Sequence, residues 1–334
     1  RRRSFSTTSA ARVTCVEAAR RMYEIGDDDQ FSAREPATLA PAPASWCKKK
    51  VRKRESARMK IRPFKIRIPQ AILDDLRDRL SHTRWPDEVN DAGWEYGANL
   101  AYMKELVSYW QTKFDWRAQE NALNGFEQFL TNIDGLGVHF IHERGKGPNP
   151  IPLIITHGWP SSFFQMVKII PLLTDPANHS ASPSDSFHVV IPSVPGYGFS
   201  SRPGSSGMTV RCIAGIWARL MKEGLGYHRF AAQGGDIGGG VTTRLGLMYP
   251  DSLIGIHLTD VRSPYLGDGV PELSEQERKF MEEEEKWEKE EGAYADIQAT
   301  KPQTLAYGLN DSPAGLAAWI VEKYRTWSDC NGDI

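Results

Sequence analysis

The stretch from Phe230 to Leu245 restricts this chain more than any other. A short apolar run, Phe230-Ala231-Ala232, leads into Gln233-Gly234-Gly235-Asp236-Ile237-Gly238-Gly239-Gly240, and a helix-forming run from Val241 follows without a spacer. Small residues around one functional side chain, between a strand and a helix, are the layout of a nucleophile elbow. Serine usually stands at such a corner; here it is Asp236. The N–H groups and dipole of a helix start favour a charged carboxylate, and an ionised carboxylate can attack carbon to form an ester. The same residues also fit a plain turn in which Asp236 caps the helix.

The remainder of the chain favours the chemical reading. Short apolar segments at Ile151 to Ile155, Phe187 to Ile191, Phe230 to Ala232 and Leu253 to Leu258 read as buried strands. Val138 to Glu143 alternates like a strand as well, and helical runs at Phe163 to Leu173, Val210 to Leu225 and Val241 to Tyr249 separate several of these. Buried parallel strands alternating with helices indicate an α/β fold whose ligands sit at the strand C-terminal ends. His139, His142 and His257 lie on those strands and read as structural rather than as metal ligands.

Upstream, Pro63 to Ile68 alternates like an edge strand, and helices are expected from Pro69 to Leu80, Leu100 to Phe114 and Asn121 to Ile133. Trp94, Trp110 and Trp116 read as packing residues. Downstream, Ser274 to Glu291 is a charged helix, and Asp311-Ser312-Pro313 starts another over Ala314 to Lys323. The acidic run Glu282 to Glu285 is a solvated face, because the spaced ligands and central glycine of a calcium loop are missing. The expected organisation is a helical extension over residues 59–135, an α/β core over 136–262 and a helical cap over 263–334.

Residues 1–58 do not read as part of a fold. Arg1 to Thr8 is Arg- and Ser-rich like a transit peptide, but Asp27-Asp28-Asp29 and the Ala/Pro tract from Ala37 to Pro43 break that pattern. Lys48 to Arg54 has the composition of a nuclear-localisation or polyanion patch, but a charge run of this kind reads first as solvated. Met59 stands directly before the first globular pattern, so the expectation is a disordered or non-native leader.

A formal net charge of -1 gives no electrostatic footprint for nucleic acid or an anionic membrane. The four cysteines are scattered, with no zinc-ligand spacing and no disulfide framework, so no metal is expected and a reducing, cytoplasmic setting is the simpler one. No apolar run is long enough to span a bilayer.

His157-Gly158-Trp159-Pro160 follows directly on the strand Ile151 to Ile155. In this architecture the loop after that strand supplies one oxyanion-hole N–H and the residue after the nucleophile supplies the other. Those donors would be the backbone N–H groups of Trp159 and Ile237. Pro192 to Gly198 closes a neighbouring strand, either as a rigid loop or as a substrate contact.

From about Ile61 onward the chain resembles the epoxide hydrolases of the microsomal type, an α/β-hydrolase fold with an N-terminal extension and a helical cap. The matching motifs are Pro63-Phe64, Trp85-Pro86, His157-Gly158-Trp159-Pro160, Pro192 to Gly198, Gly234-Gly235-Asp236-Ile237-Gly238, and Lys301-Pro302 through Leu316. The resemblance implies that Asp236 opens an epoxide to a vicinal diol through an ester. It implies that Tyr294, just before Ile297-Gln298-Ala299-Thr300-Lys301-Pro302, protonates the leaving oxygen, and that His157 and Pro160 border the substrate. The implied partners are a small-molecule epoxide and water, with no cofactor; a homo-oligomer is left open.

The family's charge-relay acid and histidine follow the cap. None of the eight histidines does, and Asp260, at the end of the strand after the elbow, is not assigned the acid's part. The expectation is a C-terminally truncated chain lacking its final strands, in which the ester persists. Two other readings stand beside it. One is a non-catalytic relative that binds a ligand or partner under its cap. The other is a haloalkane dehalogenase, disfavoured because Ile237 stands where many of those enzymes carry a halide-binding tryptophan.

Overall fold

A computed structural model describes residues 59–260, 272–332 and 334. The expectations for the leader, including the Ala37 to Pro43 tract and the Lys48 to Arg54 run, lie outside the described residues. The described residues fall into two compact units, one of 59–260 with 294–334 and one of 272–293.

The larger unit is built on a sheet of seven strands: β1 (Arg62–Phe64), β2 (Gln128–Ile133), β3 (Leu136–Glu143), β4 (Ile151–Thr156), β5 (Phe187–Pro192), β6 (Phe230–Gly234) and β7 (Leu253–Leu258). Their order is β1-β2-β3-β5-β4-β6-β7. β4, β5, β6 and β7 run parallel, and β1, β2 and β3 add an antiparallel wing.

The period-2 alternation of strands separates two cores. Val138, Phe140, Ile154, Val190 and Ala232 face Ala214, Trp217 and Leu220, which come from helix α5 and its end. Ile141, Leu153, Ile155, Val189 and Ile191 face Phe163 and Ile170 on the other side. β7 forms the edge, and Ile254 and Ile256 on it are 47% and 44% exposed.

The helices of this unit are α1 (Gln70–Ser81), α2 (Leu100–Thr112), α3 (Trp116–Leu123), α4 (Ile170–Thr174), α5 (Val210–Arg219), α6 (Ile237–Met248), and, after the second unit, α8 (Ala293–Thr300), α9 (Pro302–Asp311) and α10 (Pro313–Trp327). Side-chain caps fix several starts. Asn99 accepts from the Tyr102 N–H at 2.9 Å, and Ser312 accepts from the Gly315 N–H at 3.0 Å. Leu80 of α1, Val107 of α2 and Ala314 of α10 share a small core with Leu76 and Trp110. The second unit carries α7 (Glu275–Glu291), begun by a capping box between Ser274 and Glu277 and with no buried residue. No helix among the described residues is long and apolar enough to cross a membrane.

Two sequence expectations are corrected. The helix expected from Asn121 to Ile133 ends at Leu123, and Gln128–Ile133 is strand β2, paired antiparallel with β3. The turn between them is Asp134-Gly135, both at positive φ (55° and 90°), a hairpin signal in the sequence that outweighs helical spacing. The edge strand expected from Pro63 to Ile68 stops at Phe64, because later backbone groups find side chains instead of a strand. Asn124 bonds both the N–H and the carbonyl of Ile66 at 2.8 Å, and Glu120 accepts from the Ile68 N–H at 2.7 Å. Among the described residues, Cys330 is a free cysteine.

Two strand histidines are fully enclosed. The His139 ring donates from Nε2 to Gln128 Oε1 at 3.0 Å and accepts at Nδ1 from the Ser193 hydroxyl at 2.9 Å. His142 Nε2 meets the Tyr227 hydroxyl at 3.0 Å. Burial pushes both imidazoles from the ordinary 6.5 down to about 4, with Arg144 and His188 adding to the effect on His142. The folded state thus holds neutral rings that the unfolded chain protonates. Stability is whole above about pH 6.5 and falls as the pH drops toward 4, by up to about 1.4 kcal/mol per pH unit for each ring. Urea midpoints should therefore be lower at about pH 5 than at about pH 7, with a shallower difference in His142→Gln. A difference that this variant leaves unchanged contradicts the assignment.

Candidate active site

The corner between β6 and α6 is a strained one. Asp236 sits at φ 52° and ψ -125°, a region that residues with a side chain rarely enter. Such strain persists only where the surroundings fix it and is concentrated at functional sites. Glycines make the geometry fit. A Cβ on Gly238 would run into the Thr156 carbonyl of β4, one on Gly234 into the Gly238 carbonyl, and one on Gly235 into the Thr259 hydroxyl. The start of α6 can therefore lie directly against the ends of β4 and β6.

The Asp236 side chain makes no capping bond to α6. It turns to the loop after β4 and accepts the Trp159 backbone N–H at Oδ1, 2.8 Å away. The plain-turn reading, in which Asp236 serves as a cap, is thereby corrected. Gly158 passes so close that an added Cβ would stand 2.5 Å from Asp236 Oδ1 and 2.6 Å from its Cβ. Ile237 opens α6, so its N–H belongs to the helix turn that has no intrahelical acceptor.

His157 is 1% exposed. Its Nε2 accepts from the Val194 N–H at 3.1 Å, which leaves Nδ1 as the donor to the Gly158 carbonyl at 3.2 Å. Burial lowers its pKa, against smaller opposing effects from the Gly158 bond and the Asp236 charge. With both nitrogens engaged, this ring holds the loop in place. Pro192 to Gly198 supports it: Val194 supplies that N–H, and the Tyr197 ring stands edge-on to His157 at 5.4 Å. Burial, and then the Asp236 charge, raises the Tyr197 phenol pKa.

Asp236, Trp159 and Pro160 line one cavity of about 400 Å³, together with Phe164, Met166 and Lys323. Tyr294 meets it through a neighbour: its ring stacks on Trp159 at 4.9 Å and 9°, and approaches Trp327, another lining residue, at 5.0 Å. The structure thus brings Asp236, Trp159 and Pro160 to a common space, with Tyr294 against its aromatic wall and His157 beneath the loop. Lys323 and Trp327 had no sequence signal, since each looks like an ordinary residue of an amphipathic helix. Among the described residues, no cluster of three or more His, Cys, Asp or Glu could hold a metal ion.

A mixed sheet whose parallel half carries a glycine-lined strand-to-helix elbow is the arrangement of the α/β-hydrolase fold, and residues 151–294 match that family's profile. Residues 61–166 match the epoxide hydrolase N terminus. Epoxide hydrolase 1 of Oryctolagus cuniculus is 39% identical over 288 residues, covering 80% of this chain and 63% of the relative. The crystal structure of juvenile hormone epoxide hydrolase from the silkworm Bombyx mori is 31% identical with a TM-score of 0.73, over 82% of this chain and 68% of that one. Aspergillus niger epoxide hydrolase is 33% identical with a TM-score of 0.70, over 81% and 71%. The chain belongs to the epoxide hydrolase family. It spans 62% to 63% of the length of the curated relatives that are 39% to 45% identical to it.

Proposed function

We propose that Asp236 opens an epoxide by direct attack on a ring carbon. The observation that carries this reading is the hydrogen bond from the Trp159 N–H to Asp236 Oδ1. With Oδ1 held, Oδ2 is the free nucleophile. A bond forms from Oδ2 to carbon, the ring C–O bond breaks, and its electron pair goes to the epoxide oxygen. That oxygen takes the proton of Tyr294. A neutral phenol, with an ordinary pKa of about 10, suits a developing alkoxide.

Oδ1 then becomes the ester carbonyl oxygen, already facing the Trp159 N–H. Water adding to that carbonyl gives a tetrahedral oxyanion for which Trp159 and Ile237 are the donors. Collapse frees the vicinal diol and restores Asp236. Water needs a base for this step. His157 has both ring nitrogens engaged, and no histidine follows the cap helices within these 334 residues. The groups gathered at the Asp236 cavity serve ester formation.

Two incubations of this chain, one with a terminal aryl epoxide and one with an alkyl bromide, test the reading by intact mass and bromide release. The expected result is a mass gain of one whole epoxide molecule and no bromide. Bromide release without an epoxide adduct would point to dehalogenation, and no change with either would leave ligand binding alone.

A further inference from the structure

Tyr294, the proposed proton donor, stands on an open helix: α8 has no buried residue. The contacts that meet the ring from the cavity side therefore matter to its orientation. Trp159 and Trp327 supply two contacts. A charge meets it as well. Lys323 on α10 is 8% exposed, and its ammonium lies over the Tyr294 ring at 5.2 Å and over Trp327 at 5.7 Å. A cation within about 6 Å of a ring face is attracted to it, most strongly where water is excluded. The same ammonium pairs with the Glu322 carboxylate at 2.7 Å.

A buried ammonium is costly unless its partners compensate for lost water. This one lines the Asp236 cavity, beside Trp159 and Trp327. Contacts thus run from Lys323 to Tyr294, from Tyr294 to the Trp159 ring, and from the Trp159 N–H to Asp236.

The geometry points to Lys323 as the positioning residue for the proton donor. Its ammonium holds the Tyr294 ring against Trp159, so that the phenol stays directed at the oxygen leaving the epoxide. This inference rests on the roles proposed above for Asp236 and Tyr294. It adds that a charge acts beside the aromatic stack in setting the donor.

The test is the rate of ester formation at saturating epoxide in single turnover, with the adduct assigned to Asp236 by peptide mapping so that alkylation of Lys323 itself is not counted. Lys323→Met keeps the stem and removes the charge; Lys323→Arg keeps a cation over the rings. Lys323→Met should slow ester formation roughly tenfold with the half-saturating epoxide concentration little changed, and Lys323→Arg should stay within about threefold of wild type. Near-ultraviolet circular dichroism of the aromatic stack should change in the Met variant and persist in the Arg variant. In a Tyr294→Phe background, Lys323→Met should add little.

Unchanged ester formation in Lys323→Met, on a wild type that does form the ester, overturns this inference and leaves the proposed reaction standing. So does a full additional loss in the Tyr294→Phe background, or an Arg variant as slow as Met. A wild type that forms no ester at Asp236 removes both.

Discussion

Asp236→Asn should consume epoxide on the order of a thousandfold more slowly than wild type, or not measurably. The substitution keeps the shape of the side chain and an oxygen that can still accept the Trp159 N–H, which lies 2.8 Å from Oδ1 in the native chain. What it removes is the second carboxylate oxygen, the one assigned to attack carbon. The strained corner is kept by glycines whose neighbours are backbone carbonyls and a hydroxyl, and none of these contacts involves the Asp236 charge. The variant should therefore unfold at the same urea midpoint as wild type. Rapid-quench assay of epoxide loss in single turnover measures the rate. Equal consumption by the Asn variant would mean that the reaction occurs elsewhere.

Gly158→Ala should cost about a hundredfold in the same assay, the scale associated with misplacing a reacting group by about 1 Å. The added methyl would lie 2.5 Å from Asp236 Oδ1 and 2.9 Å from its Cγ. Asp236 cannot retreat toward α6, because Gly238 already lies against the Thr156 carbonyl. The carboxylate must then rotate off the Trp159 N–H, or the loop must lift. Either change separates the proposed nucleophile from its proposed oxyanion donor. Gly204→Ala is the matched control, since nothing lies within 4 Å of its added Cβ. A Gly158→Ala chain as fast as that control would contradict the close approach.

The elbow and the parallel strands were legible because each is written locally. Glycines at 234, 235 and 238 announce a close crossing, and apolar runs such as Phe187 to Ile191 suit a strand covered on both faces. The wing of the sheet was harder to read. Leu123, Phe126, Leu130 and Ile133 recur at helical spacing, yet the Asp134-Gly135 turn folds the second half of that stretch back as β2. Long-range pairing overrides a period in which strand and helix overlap.

The same limit applies at the site. Asp236 and Trp159 could be paired from the order of strand, loop and elbow, because the architecture fixes which strand ends are neighbours. Lys323 could not, because its ring partners Tyr294 and Trp327 become neighbours of the Asp236 cavity only in three dimensions. His157 illustrates the reverse case. Its motif position suggested a substrate contact, while both of its nitrogens serve the loop.

The most direct measurement is the location of the covalent adduct. The 334-residue chain, treated with epoxide, quenched in acid and digested, should yield one modified peptide, with the added mass on Asp236 as an ester that hydroxylamine removes. An adduct confined to another residue, or an unmodified Asp236 in a chain that has consumed epoxide, would contradict covalent catalysis at the elbow.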